Sequence, residues 1–418
     1  MSREQYGWIV WFIAALFFFA AYVSRVAPGV IINDIMRDWH IKATMVGSVA
    51  GFFYYAYILM QVPVGLILDK GNPVKVLIMS LSLCVIGNLL FSMTDHVFVG
   101  QLARVLIGAG SAFAFAGSIK IAVIWFKGEH LGVVSGLTQT MGMLGAAVGE
   151  WGIAALNSSF NWREVMGMVT ILLGVVLLLM FVFVRMPKDH KYEQSNEVDW
   201  RHILTMVMGN KQTWINGCYA AKIFLPTLVF GESWGPIYLE KVRGLSHASA
   251  SMVCSMIFVG WVIGGVFIGA FSDYIGRRRP VLMVSAVVSF VMMTVALYIH
   301  DVSQTALIVI MVLYGIANTG LVASYAVAGE INPQIATGLS MATVNMLSII
   351  LGAAMLPVIG LVLDFGWQGQ MHQGVPVYDA ASYEKAMLLL PFSLVMAFVL
   401  AFFVQETHCK PYEESHGK

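Results

Sequence analysis

Gly269-Ala-Phe-Ser-Asp273-Tyr-Ile-Gly276-Arg277-Arg278-Arg279 ends one long apolar stretch and begins the next. The run has room for a turn and nothing larger. A degenerate copy, Gly65-Leu-Ile-Leu-Asp69-Lys70-Gly71, sits at the same kind of junction half a chain earlier. A glycine, an acid four residues on, then glycine and basic residues, met twice, point to an internally duplicated chain of helical hairpins.

Composition says where those hairpins lie. Of 418 residues, 59% are hydrophobic and 11% charged, against roughly 25% charged in a soluble domain. A core bounded by water cannot absorb that much apolar surface, so lipid must cover it. Charge-free runs such as Val165 to Val184, Val281 to Ile299, Thr305 to Gly329 and Ala386 to Val404 suffice to cross a hydrocarbon layer of ~30 Å. A net charge of +1 gives no reason to expect nucleic acid. Cys84, Cys218, Cys254 and Cys409 are scattered, with neither disulfide nor metal-ligand spacing. No metal and no cofactor are expected. Met1 to Tyr6 leads straight into a full span without an Ala-x-Ala site, so the first helix is expected to stay as an anchor.

Turns and charges delimit twelve spans near 8–32, 44–67, 73–94, 97–125, 132–156, 163–185, 212–239, 247–271, 280–300, 305–328, 336–363 and 385–405. The expected fold is all-α and membrane-integral, as two pseudo-symmetric six-helix bundles. Residues 1–185 form the first bundle, 186–211 a cytoplasmic linker with an amphipathic piece (His202-Ile-Leu-Thr-Met-Val-Met208), 212–407 the second bundle and 408–418 a cytoplasmic tail. With both termini inside, fourteen of the 24 Lys and Arg are cytoplasmic, six are outside and four lie at membrane depth. The positive-inside rule therefore places the termini in the cytoplasm.

The paired loops resemble those between the second and third helices of each half of the major facilitator superfamily. Other stretches are similar to the same family. Arg104-Val-Leu-Ile-Gly108-Ala-Gly110 resembles its fourth-helix signature, Trp125-Phe126-Lys127-Gly128-Glu129 the following turn, and Asn161-Trp162-Arg163 the start of its sixth helix. Phe53 to Gly65, with Gln61 and Pro63, is similar to the second helix of organic-anion, sugar-acid and amino-acid carriers, closest to amino-acid carriers of intracellular bacteria and the lysosomal dipeptide carrier. The resemblance implies a substrate site between the halves near the midplane. It also implies a cytoplasmic gate of Gly65, Asp69, Gly269, Asp273 and Gly276. There Asp69 would meet the eleventh helix and Asp273 the fifth, at N-termini where the macrodipole is positive. Arg277 and Arg278 would add ion pairs to Glu129 or Glu330. The first loop departs from the pattern, with Asn72-Pro73 in place of an arginine pair, so its half of the gate is expected to be weaker. Gly260, Gly264, Gly265 and Gly269 read as one small-residue packing face.

Six ionisable residues fall at membrane depth: Arg25, Arg104, Lys120, Glu150, Lys222 and Glu232. Each needs a partner or a watery cavity there, since a charge at the bilayer centre costs ~2.5–3.5 kcal/mol. Arg104 and Glu150 lie at similar depth and read as a buried ion pair or as a proton carrier tuned by a cation. Arg25 and Glu232 precede Pro28 and Pro236 in the paired first and seventh helices, and Lys222 adds positive charge. Tyr22, Tyr57 and Trp234 would shape the pocket. A forked guanidinium suits a carboxylate and an acid suits an ammonium, so an amino acid or short peptide is the expected solute. An organic-anion symporter or a uniporter is the alternative, and a non-transporting membrane sensor a more distant one. Lacking His-Glu-x-x-His, Gly-x-Ser-x-Gly or an ATP-binding loop, the chain is not expected to be an enzyme. The expected partners are a small solute, a proton and the bilayer, with a functional monomer in a bacterial inner membrane.

Overall fold

The computed structural model describes residues 3–126, 131–186, 200–372, 375–410 and 412. They fall into two compact units, one of residues 1–196 with 369–377 and one of 197–368 with 378–418.

The first unit holds α1 (Arg3–Val30), α2 (Ile32–Trp39), α3 (Ala43–Lys70), α4 (Pro73–Met93), α5 (Val97–Trp125), α6 (Leu131–Asn157) and α7 (Trp162–Phe183). α1 packs on α5, α6 and α7, and α5 also carries α3 and α4. Close approach is bought with glycine. A Cβ on Gly145 of α6 would stand 2.3 Å from the Phe19 carbonyl of α1, and one on Gly108 of α5 would stand 2.1 Å from the Phe53 carbonyl of α3. Start signals are local. Asn161 and Glu164 form a reciprocal capping box on α7, and the Asn72 side chain accepts from the Val74 and Lys75 N–H groups ahead of Pro73. Asn72-Pro73, which removes the arginine pair from the first loop, is thus a helix cap. The short α2 has no counterpart among the expected spans. Its Asp38 is held 2.6 Å from Arg163, whose other terminal nitrogen donates to the Thr94 carbonyl.

The second unit holds α8 (Trp200–Gly209), α9 (Lys211–Pro226), a π-helical segment (Thr227–Trp234), α10 (Gly235–Arg243), α11 (His247–Ile275), α12 (Arg279–Tyr298), α13 (Gln304–Asn318), α14 (Gly320–Glu330), α15 (Thr337–Gly366), α16 (Ala380–Met387) and α17 (Leu389–Phe403). A hairpin pairs β1 (Met371–His372) with β2 (Val375–Pro376); it belongs to the 369–377 stretch assigned to the first unit. The amphipathic piece before the seventh span is α8, whose Ile203 and Val207 are buried with Ala336.

Helices occupy all twelve expected places, and among the described residues ten are long and apolar enough to cross a membrane. The seventh span is broken into α9, the π segment and α10. The expected glycine face also divides. Gly260 and Gly264 press on α13, with ideal Cβ positions 2.2 Å from the Val312 carbonyl and 2.5 Å from Thr319 Oγ1, whereas Cβ atoms on Gly265 and Gly269 would meet nothing within 4 Å. Residues 264 and 265 are adjacent and so point about 100° apart on a helix of 3.6 residues per turn.

Candidate functional site

Arg25 lies on α1 in the first unit and is 4% exposed. Its guanidinium carbon sits 4.8 Å from the ring centre of Tyr22, 5.0 Å from Tyr54, 5.9 Å from Tyr57 and 6.0 Å from Phe53. α3 supplies three of those rings from consecutive turns. Cation–π attraction strengthens when water is excluded, so this frame keeps an arginine charged at depth and fixes its plane.

Arg104 of α5 does something the sequence reading did not foresee. Pro28 has no N–H, so the Ser24 carbonyl four residues earlier loses its helical donor. Arg104 Nη1 donates to that carbonyl at 2.9 Å, and Nη2 donates to the Arg25 carbonyl at 3.2 Å. Its guanidinium carbon also lies 4.7 Å from the Phe53 ring. The Ser24 hydroxyl is in turn held by Asn88 Nδ2 at 2.7 Å. Arg104 therefore mends the backbone beside Arg25. Glu150 of α6 is fully buried, like Arg104, one residue after Gly149, which abuts Val23 and Val26 of α1.

In the second unit the break takes another form. The Thr227 N–H bonds to the Phe224 carbonyl, tightening the turn after Pro226. This strands the Ile223 carbonyl, and Asn318 Nδ2 donates to it at 2.8 Å. The Thr227 hydroxyl donates to Asn318 Oδ1 at 2.9 Å and lies 3.0 Å from the Tyr314 hydroxyl. The Gly235 N–H then closes the wide turn on the Phe230 carbonyl, and Pro236 has no N–H with which to continue it. π segments of this kind gather at functional sites. Glu232 and Trp234 lie within this one, each 1% exposed, and the Trp234 indole N–H has no acceptor among the described residues. Lys222 sits in α9, half-buried.

At the opposite kind of site, the α11–α12 turn, Gly276 takes a left-handed φ of 68° and returns its N–H to the Ser272 and Asp273 carbonyls. Arg278, its side chain 7% exposed, bridges Asp273 at 2.7 Å and Glu330 at 2.6 Å and donates to Ser272 Oγ at 2.9 Å. Burial opposes its charge, but the hydrogen bonds and charge of Glu330, with the bond to Asp273, outweigh that and hold the guanidinium above its ordinary value. Arg277 is exposed, and among the described residues its side chain makes no bond to this network. Glu406 was missed by sequence reading. Its carboxylate accepts the N–H groups of Arg278 and Arg279, at 2.8 and 3.0 Å, capping α12, and Thr407 donates to Glu330. Gly65, like Gly269, has open space where a Cβ would stand. Glu129 lies outside the described residues, as does the side chain of Asp69.

The family model described as Major Facilitator Superfamily matches residues 10–354 and 234–413. The chain belongs to that superfamily. Among its relatives, a probable galactarate/D-glucarate transporter of Bacillus subtilis is 23% identical over 85% of this chain and 86% of its own length. A protein of the same description in Escherichia coli K12 is 21% identical over 92% and 91%. A probable sulfoacetate transporter of Cupriavidus necator is 24% identical over 64% of this chain and 65% of its own length, so the chain spans just under two thirds of that relative. A bacterial homologue of the human lysosomal transporter Spinster has the same fold, at a TM-score of 0.76 and 16% identity over 94% of this chain and 96% of that one. A D-xylose–proton symporter has it too, at 0.74 and 14% over 97% and 100%.

Placed in the superfamily, the molecule is a multi-pass membrane protein of a transporter family, and the two loop motifs take different weights. The second is a closed network that ties α11, α12 and α14 to the segment after α17. Beside the first, Asn72 caps α4.

Proposed function

We propose that the chain is a secondary transporter for an organic anion, a small carboxylate or sugar acid, working by alternating access with proton coupling. The observation that carries this is Arg25, a buried guanidinium framed by four aromatic rings at membrane depth. The rings attract the guanidinium through its charge, and carboxylate recognition uses its N–H edge. Within the second unit, Trp234 has a buried N–H donor with no acceptor among the described residues. The amino-acid or peptide solute expected from Arg25 and Glu232 gives way here. Galactarate, D-glucarate and sulfoacetate, the solutes in the relatives' names, carry acidic groups and no amine. With no ammonium to meet, Glu232 and Glu150, the acids buried at membrane depth, become the candidate proton carriers. Both termini then face the cytoplasm of a bacterial inner membrane, with a monomer as the working unit.

The test is uptake into proteoliposomes. Galactarate, D-glucarate and sulfoacetate are compared with alanine and a dipeptide, with and without an inward proton gradient. At least one acid should accumulate under the gradient. Arg25→Lys, which keeps the charge and loses the fork, should raise its KM about tenfold. Accumulation of the amino acid alone overturns the solute class, and accumulation indifferent to the gradient overturns the coupling.

A further inference from the structure

The last span is stepped, and the step opens a groove. α16 ends at Met387 and α17 begins at Leu389. The Leu388 N–H bonds to the Lys385 carbonyl in a tightened turn, and the Glu384 carbonyl takes the Tyr298 hydroxyl at 3.1 Å instead. Beside the step, Val358 and Val362 of α15 face Ala386, Leu388, Leu389 and Phe392 across a space of about 550 Å³, with Lys385 at one end. Leu388 and Phe392 stand on the rim at 56% and 60% exposure. Both flanking helices are apolar enough to cross the membrane, so acyl chains, not water, bound this space. An empty apolar notch there would forfeit dispersion contacts along its walls.

The charge at its mouth narrows the occupant. Lys385 is exposed and makes no ion pair among the described residues. The acids around it have nearer partners, although the charge of Lys385 does act on Asp379. Glu384 is held 2.7 Å from His300, Asp379 caps α16 through the Ser382 N–H at 2.8 Å, and Asp364 accepts from the Tyr378 hydroxyl. An exposed ammonium without an ion pair, beside an apolar groove, suits an amphiphile with an anionic head. We propose that this groove binds one chain of an anionic phospholipid drawn from the bilayer, with Lys385 on its phosphate.

Delipidated protein in detergent is titrated with phosphatidylglycerol or phosphatidylcholine of identical chains, read by native mass spectrometry and thermal unfolding. Wild type should retain phosphatidylglycerol about fivefold better. Lys385→Gln should level the two, and Val362→Trp, which fills the groove, should lower retention of both. A preference that survives Lys385→Gln, or retention untouched by Val362→Trp, overturns the proposal. A thermal shift with inorganic phosphate alone would assign the site to a free anion instead. Should Val362→Trp fail to fold, wild type still decides. A six-carbon phosphatidylglycerol held as well as the long-chain lipid would remove the groove from the argument.

Discussion

Replacing Arg104 should cost the protein much less when Pro28 is replaced as well. Arg104→Met is the natural perturbation, because Met311 stands four residues before Gly315 as Arg104 stands four before Gly108, and both glycines lie against a neighbouring helix backbone. The substitution removes a charged donor from the Ser24 carbonyl, which Pro28 leaves without another, and from the Arg25 carbonyl. The Arg25 carbonyl keeps its helical donor, Gly29, so the loss falls mainly on Ser24. A stranded buried acceptor costs about 1–3 kcal/mol, and a bond to a charged group contributes about 1.5–3 kcal/mol. A total near 3 kcal/mol corresponds to a Tm drop of roughly 6–12 °C for a unit of this size. Pro28→Ala returns an N–H to Ser24, so in that background Arg104→Met should cost less than half as much. All four proteins are compared by thermal unfolding in detergent, in a Glu150→Gln background so that the fully buried acid does not confound the change of charge. The double-mutant cycle isolates the coupling. Equal drops with and without Pro28 would refute the view that Arg104 mends a proline break.

The α11–α12 network yields its own expectations. Glu330→Gln should lower the thermal midpoint and slow uptake, because the nearly buried Arg278 loses its 2.6 Å partner, and breaking a buried pair costs several-fold more than a surface one. Glu406→Gln should fray α12 by about 1 kcal/mol, the worth of a cap, seen as faster amide exchange at Arg278 and Arg279. Gly145→Ala should prevent close packing of α1 on α6 and abolish folded yield, whereas Gly265→Ala should leave yield intact, since its Cβ meets nothing within 4 Å. The solute assay with Arg25→Lys completes the set.

Placement of the spans was legible because hydropathy and turn chemistry are local. Val97–Trp125 was read to the residue, and Asn161 and Ser246 announce their helices by type. The all-α fold followed from the same signals. What escaped depends on neighbours brought in from elsewhere in the chain. The bonds of Arg104 to the Ser24 and Arg25 carbonyls depend on the packing of α5 on α1, although Pro28 did mark Ser24 as an orphan. The π segment needed Asn318 from a helix far along the chain. Glu406 lies just past the last expected span, 385–405, and nothing in its local pattern says that it caps α12. The seventh span's charges were legible as charges, but the winding that holds Glu232 and Trp234 was not.

The π segment also bears on how the two halves have diverged. Pro28 and Pro236 are farther apart in sequence than Asp69 and Asp273 by about one helical turn, so the copies no longer have equal lengths at their ends. Within a strict α-helix an added residue turns everything beyond it by about 100°. A wide turn can take up that residue locally and leave the flanking faces aimed as before. The offset between the copies is four residues, about 40° from a whole turn, so the wide turn has only that remainder to absorb. A chimera that exchanged residues 211–243 for the matching piece of the first half would inherit the wrong phase, however similar the two look when aligned.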